Sequence, residues 1–186
     1  MGRDKFKILF PSGEIELKVK ELAKQISQDY RGKTPVLIGI LKGAFIFLAD
    51  LVRSIEGVDV EIDFLGVSSY GKKTAPDRSP IITKDLSIDV ANRDVIIVED
   101  IVDTGATFDS IVGYIAGKNP SSLKICSLVD KRGRRKGTLK IDYVGFEIES
   151  GFIIGYGMDF SEKYRNIKDI LLYLEDAIQT PRAGGN

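Results

Sequence analysis

Apolar positions along the chain repeat with two periods, and stretches of each kind alternate. Ile15, Val19, Leu22, Ala23 and Ile26 fall on one face of a 3.6-residue repeat, which predicts a helix over 14–30 with Ser12 as its cap. Phe45, Leu48, Ala49 and Val52 predict a second helix over 44–55, and Phe108, Ile111, Val112 and Ile115 a third over 104–118. Between the helices stand unbroken apolar runs at 36–41 (VLIGIL), 94–98 (DVIIV) and 123–129, each read as a strand buried on both faces. Further strands are predicted over 6–10, 58–68, 143–148 and 152–156. Buried strands alternating with amphipathic helices imply an α/β fold, a mainly parallel twisted sheet flanked by helices. Ligands of such sheets bind at the C-terminal strand ends, so the residues following each strand carry the search for chemistry.

Two polar stretches punctuate this pattern. Residues 71–80 (GKKTAPDRSP) form a long internal loop, which suits a lid over a site or a plain connector. Residues 181–186 (PRAGGN) read as a flexible tail, leaving one domain over 1–180. At 186 residues the chain suits a single domain that buries its core without disulfides.

Composition narrows the chemistry. There is no histidine and one cysteine, Cys126, which removes Ser-His-Asp triads, Cys-His dyads, HExxH zinc sites and CxxC centres. Proton transfer must then fall to carboxylates, lysines, tyrosines or the ligand. Basic and acidic residues balance at 27 each, which argues against a general nucleic-acid or membrane binder. The first ten residues, MGRDKFKILF, lack a secretory h-region, and no apolar run approaches the about 20 residues needed to span a bilayer. A soluble, cytoplasmic protein is expected. Gly32-Lys33-Thr34 lacks the earlier glycine of a Walker A loop, since Ser27 stands there. Gly155-Tyr156-Gly157 fails as a dinucleotide fingerprint because Phe160 takes the third glycine's place.

The informative stretch is Val95 to Thr107, VIIVEDIVDTGAT. A β-branched strand ends in two adjacent acids, Glu99 and Asp100. A short loop, Asp103-Thr104-Gly105-Ala106-Thr107, then opens a helix. That loop offers backbone N–H groups, two hydroxyls and a helix N-terminus, a ready cradle for a phosphate. Adjacent acids repel a phosphate but accept hydrogen bonds from a vicinal diol or assist a cation. Acids beside a phosphate cradle suggest a sugar phosphate. A helix cap with solvated acids is the plainer alternative.

This stretch resembles the phosphoribosyl-pyrophosphate signature of the type I phosphoribosyltransferases. The likeness runs from about Phe6 to Leu174 and is strongest to the shorter bacterial members acting on hypoxanthine and guanine. Such membership implies that fold, with a small hood built from the N- and C-terminal segments. Four further segments carry the likeness. Leu41-Lys42-Gly43 matches a loop that binds pyrophosphate through backbone amides, often across a cis peptide. Val67-Ser68-Ser69-Tyr70-Gly71 matches the start of a mobile lid near 69–80, in which the pair at Ser69 and Tyr70 closes over the reacting centre and excludes water. Alone, SSYG is only a turn. Lys140, in KIDYVGFE, matches a lysine that donates to the purine 6-oxo group. Without its flanks it is a surface lysine. In FIIGYGMDFSEKYR, Phe152 matches a ring that stacks on the purine and Ile153 a backbone contact to its edge. Asp159 matches an acid that holds a divalent ion, and Arg165 a pyrophosphate ligand.

The resemblance thus implies Mg²⁺-dependent transfer of 5-phosphoribosyl from phosphoribosyl pyrophosphate to N9 of a 6-oxopurine, in purine salvage. Glu99 and Asp100 would face the ribose and, with Asp159, the Mg²⁺. Residues Asp103 to Thr107 would hold the 5′-phosphate. Asp103 would be the general base, with Lys140 stabilising charge on the 6-oxygen. A homodimer or homotetramer without nucleic acid or membrane is expected. A xanthine-preferring transferase is one alternative. Another is a regulator on the same fold that binds nucleic acid through the basic run Lys131-Arg132-Gly133-Arg134-Arg135-Lys136.

Overall fold

The computed structural model describes residues 5–68, 81–103, 105–134 and 139–174. The elements follow in the order β1 (Phe6–Phe10), α1 (Ser12–Asp29), β2 (Val36–Leu41), α2 (Phe45–Ser54), β3 (Glu61–Ser68), β4 (Ile81–Lys84), β5 (Asp94–Val102), α3 (Ala106–Ala116), β6 (Ser122–Lys131), β7 (Tyr143–Ile148), β8 (Phe152–Ile154) and β9 (Ile170–Tyr173). The positions 69–80 expected to form a lid and the tail at 181–186 lie outside the described residues. Among the described residues no helix is long and apolar enough to cross a membrane.

Six strands form one sheet in the order β4-β3-β2-β5-β6-β7. All its pairings are parallel except that of β4, which runs antiparallel to β3. The chain winds outward from β2 to β3 in one direction and from β5 through β6 to β7 in the other. The strand order therefore reverses between β2 and β5, the crevice where open α/β sheets hold ligands. In β5 the two-residue period of a strand serves two cores at once. Ile96 and Val98 join the cluster with Ile15, Leu22 and Ile26 of α1 and Phe47, Leu48 and Leu51 of α2. Val95 and Ile97 join Phe108, Ile111 and Ile115 of α3 on the opposite face. The uninterrupted apolar runs are thus explained by burial on both sides.

A second, three-stranded antiparallel sheet has the order β1-β9-β8. It ties the two ends of the fold together, with Phe6 and Phe152 both opposite Tyr173. This is the small hood of N- and C-terminal segments, and its aromatic side chains pack across the strands.

Several elements differ from the sequence pattern. Ser12 is the first helical residue and caps nothing with its side chain; Pro11 holds the cap position. The N–H of Ser12 donates instead to Asp169 Oδ1 at 2.7 Å, so a carboxylate far along the chain closes this helix end. The buried face of α2 is Ala44, Phe47, Leu48 and Leu51, one residue out of step with the expected set, and Phe45 and Ala49 are exposed. The FIFLADLV run is apolar nearly all round, so periodicity alone does not choose a face. β5 runs on to Val102, which puts Glu99 and Asp100 inside the strand rather than after it. β6 likewise runs on to Lys131. The short strands β4 and β9 carry no period that could announce them, and β8 stops at Ile154 where Gly155 turns left-handed.

Candidate active site

The crevice between β2 and β5 is built by close backbone approach. The Leu41–Lys42 peptide is cis, as the resemblance implies. Gly43 lies so near Asp100 that a Cβ there would stand 2.1 Å from Asp100 Oδ2. Gly157, at φ 102°, leaves no room either: its Cβ would stand 2.2 Å from the Gly43 carbonyl oxygen. Asp100, Gly43 and Gly157 are therefore stacked at contact distance, and only glycine fits the two backbone positions.

A cleft of about 340 Å³ opens over this stack, lined among others by Lys42, Asp100, Asp103, Lys131, Asp159 and Arg165. That volume lies in the range of small-molecule sites, roughly 300–1,000 Å³. A larger groove of about 710 Å³ shares Asp103, Lys131 and Phe152 and continues over Tyr173. A hollow of about 520 Å³ between α1 and α2 is also present. There the charges satisfy one another: Tyr156 donates to Asp50, Asp50 pairs with Arg53, and Lys20 pairs with Glu16. The first cleft differs in the buried acid it holds, Asp100.

Its acids are unusual. Asp100 is buried, with Oδ1 accepting from the Ile101 N–H at 2.9 Å. Glu99 is half-buried and accepts from the Asp100 N–H at 3.1 Å. Burial, and then the charge of Asp100, pushes the Glu99 carboxyl well above its usual range. Burial also raises that of Asp100, partly offset by Glu99 and Arg165. Asp103 Oδ2 pairs with Lys131 Nζ at 3.1 Å, while its Oδ1 is buried with no hydrogen-bond partner among the described residues. Gly105 takes the cap position of α3 at a left-handed φ of 82°.

The far wall carries the hood. Phe152 is 41% exposed, edge-on to Phe160 at 5.6 Å, with Ile153 buried beside it. Arg165 Nη2 lies 2.8 Å from Asp159 Oδ1, and Arg165 Nη1 donates to the Gly157 carbonyl at 2.8 Å.

The structure thus gathers Lys42, Gly43, Asp100, Asp103, Phe152, Ile153, Asp159 and Arg165 around one cleft, with Leu41 and Glu99 directly adjoining. Ser69, Tyr70 and Thr104 lie outside the described residues, as do the side chains of Ala106 and Thr107. Lys140 requires a correction. Its side chain is 85% exposed, its nearest described carboxylate is Asp142 at 3.9 Å, and it lines neither hollow. Lys131, only 6% exposed, occupies the cleft instead. The sequence carried no clear signal for it, because the predicted strand stopped at 129 and its neighbours disguised it as part of a basic run. Of that run, Lys131 is buried on Asp103 and Arg132 pairs with Asp130 and Glu147, while the side chains of 134–136 lie outside the described residues.

Comparison with known proteins agrees with this geometry. Residues 7–161 match the family described as the phosphoribosyl transferase domain. The chain is similar to a hypoxanthine-guanine phosphoribosyltransferase of Bacillus subtilis, 42% identical over 90% of this chain and 92% of that one. It is similarly related to one from Aquifex aeolicus, 44% identical over 90% and 94% of the two chains. A crystal structure of a hypoxanthine phosphoribosyltransferase from Staphylococcus aureus superposes with a TM-score of 0.86, at 38% identity and 94% coverage of each chain.

Proposed function

Because the chain belongs to the phosphoribosyl transferase family, and within it to the hypoxanthine-guanine phosphoribosyltransferases, we propose that it is a soluble, cytoplasmic enzyme of purine salvage. It moves 5-phosphoribosyl from phosphoribosyl pyrophosphate to N9 of hypoxanthine or guanine. One observation carries the choice of base: a carboxylate and a nearly buried ammonium stand 3.1 Å apart in the cleft, Asp103 and Lys131. A 6-oxopurine presents N7 and O6 side by side on one edge. Lys131, a pure donor, meets O6, and Asp103 takes the proton at N7 as N9 attacks. Adenine, with a donor amino group at position 6, meets a donor and is refused. Phe152 stacks on the base, and the Ile153 backbone touches its edge.

Pyrophosphate must leave C1 of the sugar while positive charge builds on the ribose. Glu99 and Asp100 orient the ribose diol and favour that charge. The N-terminus of α3, through Gly105 and the neighbouring Thr104, Ala106 and Thr107, holds the 5′-phosphate. Leu41, Lys42, Gly43 and Arg165 take the pyrophosphate, while Ser69 and Tyr70 close over it. The acids of the cleft fit a hydrated Mg²⁺ that arrives with substrate. Among the described residues no three His, Cys, Asp or Glu side chains gather to hold a metal unaided, and Mg²⁺ commonly needs only one or two carboxylates plus phosphates and waters. Asp159, or the adjoining Asp100 and Glu99, would hold it together with substrate oxygens and water. When bound, the ion neutralises charge on the pyrophosphoryl oxygens. Assembly as a homodimer or homotetramer belongs to this proposal.

Paired variants test the assignment. Lys131→Ala should lower kcat/KM for hypoxanthine by about 10- to 100-fold, the worth of a hydrogen bond from a charged donor. Lys140→Ala should stay within about twofold of the parent, as surface substitutions do. The opposite pattern would return the role to Lys140.

A further inference from the structure

The pyrophosphate end of the cleft holds a charge that the proposed reaction does not use. Glu162 Oε2 lies 3.0 Å from Lys42 Nζ and 3.4 Å from Arg165 Nη2, so one carboxylate oxygen faces both cations at once. Its backbone N–H donates to Asp159 Oδ2 at 2.8 Å, which fixes the turn against the same cluster. The turn itself is strained. Phe160 and Lys163 exchange backbone hydrogen bonds at 3.1 Å, and between them Ser161 and Glu162 both take left-handed φ, 53° and 64°. Two-residue turns of this kind ordinarily use Asn-Gly or Gly-Gly, and non-glycine residues held there usually serve a site.

Resting on the reading of Lys42 and Arg165 as the pyrophosphate ligands, we propose that Glu162 is an internal counter-anion of that subsite. Its carboxylate spans the two cations until an entering pyrophosphoryl group displaces it, and it returns to help expel the product. A ligand with several negative charges can satisfy both cations together and so outcompete one carboxylate. A singly charged anion cannot. The pairs are exposed, so the internal competition is modest.

Titration calorimetry with pyrophosphate and Mg²⁺ at low ionic strength tests this on the full chain. Glu162→Gln should bind pyrophosphate about two- to fivefold more tightly than the parent, the worth of exposed ion pairs. The gain should fade in 0.5 M salt, and affinity for inosine monophosphate, which leaves that subsite free, should not change. Parent and variant binding equally, or the variant binding more weakly, would overturn the counter-anion role while leaving the site assignment intact. No pyrophosphate binding by either protein would overturn the assignment of the subsite itself.

Discussion

At the scale of single residues, Asp103 is the proposed general base. Its Oδ2 is held by Lys131, while its buried Oδ1 has no hydrogen-bond partner among the described residues. Asp103→Asn keeps the shape and removes the basicity. Turnover should fall by about 10²–10⁴-fold, while phosphoribosyl pyrophosphate binding, measured calorimetrically, survives. Unchanged turnover would remove Asp103 from the role of base. The residues of the β5 signature were legible because an acid pair, a glycine and two threonines crowd around the junction of one strand and the next helix. Lys131 was not, because charge runs look alike in sequence whether solvated or buried. The difference between Lys131 and Lys140 lies in where a strand ends, a boundary set by pairing with β5 and β7 rather than by local pattern.

At the scale of elements, the long helices and the buried strands were legible because each repeats its period several times. The α2 face was not, since nearly every side of that helix is apolar. Strand β4, beside β3, was invisible for another reason: the stretch after it is tied to β3 by one buried carboxylate. Asp63 accepts N–H donors from Phe64, Ser87 and Ile88 and an ammonium from Lys84, at 2.5 to 3.1 Å. It thereby anchors both ends of the stretch from β3 to residue 88. Burial alone would raise its pKa, but the N–H donors of Ile88 and Phe64, with Lys84 and Ser87, hold it below the usual carboxylate range. A lowered folded pKa contributes stability that is present above the unfolded value, about 3.9, and lost as pH falls through the folded one. Asp63→Ala should therefore cost about 1–3 kcal/mol near neutral pH, read by denaturant melts. Its deficit relative to the parent should shrink below about pH 4. A deficit that stays constant down to pH 2 would assign the loss to packing instead.

At the scale of the whole molecule, the reversal of strand order between β2 and β5 explains why a site forms there. Two loops from opposite winding directions, Leu41–Gly43 and the end of β5, must meet at the crevice. Alternation of strands and helices was enough to place the chemistry at the C-terminal strand ends. The family resemblance implied a hood from both terminal segments but not the pairing of β1 with β9, which joins short strands from opposite ends of the fold and has no local signal. The pairing of β8 with β9 in the same sheet sets Phe152 at the cleft, so the hood supplies an aromatic wall.

The most direct measurement of the central claim is pyrophosphate release from phosphoribosyl pyrophosphate and Mg²⁺, with hypoxanthine, guanine, xanthine, adenine and uracil tested in parallel. The account predicts turnover with hypoxanthine or guanine and none with adenine or uracil, since the Lys131–Asp103 pair matches a 6-oxo group beside N7. Equal turnover with adenine would contradict the base-recognition argument. Silence with every base, despite tight binding of phosphoribosyl pyrophosphate, would contradict the catalytic reading and favour a regulator built on the same fold.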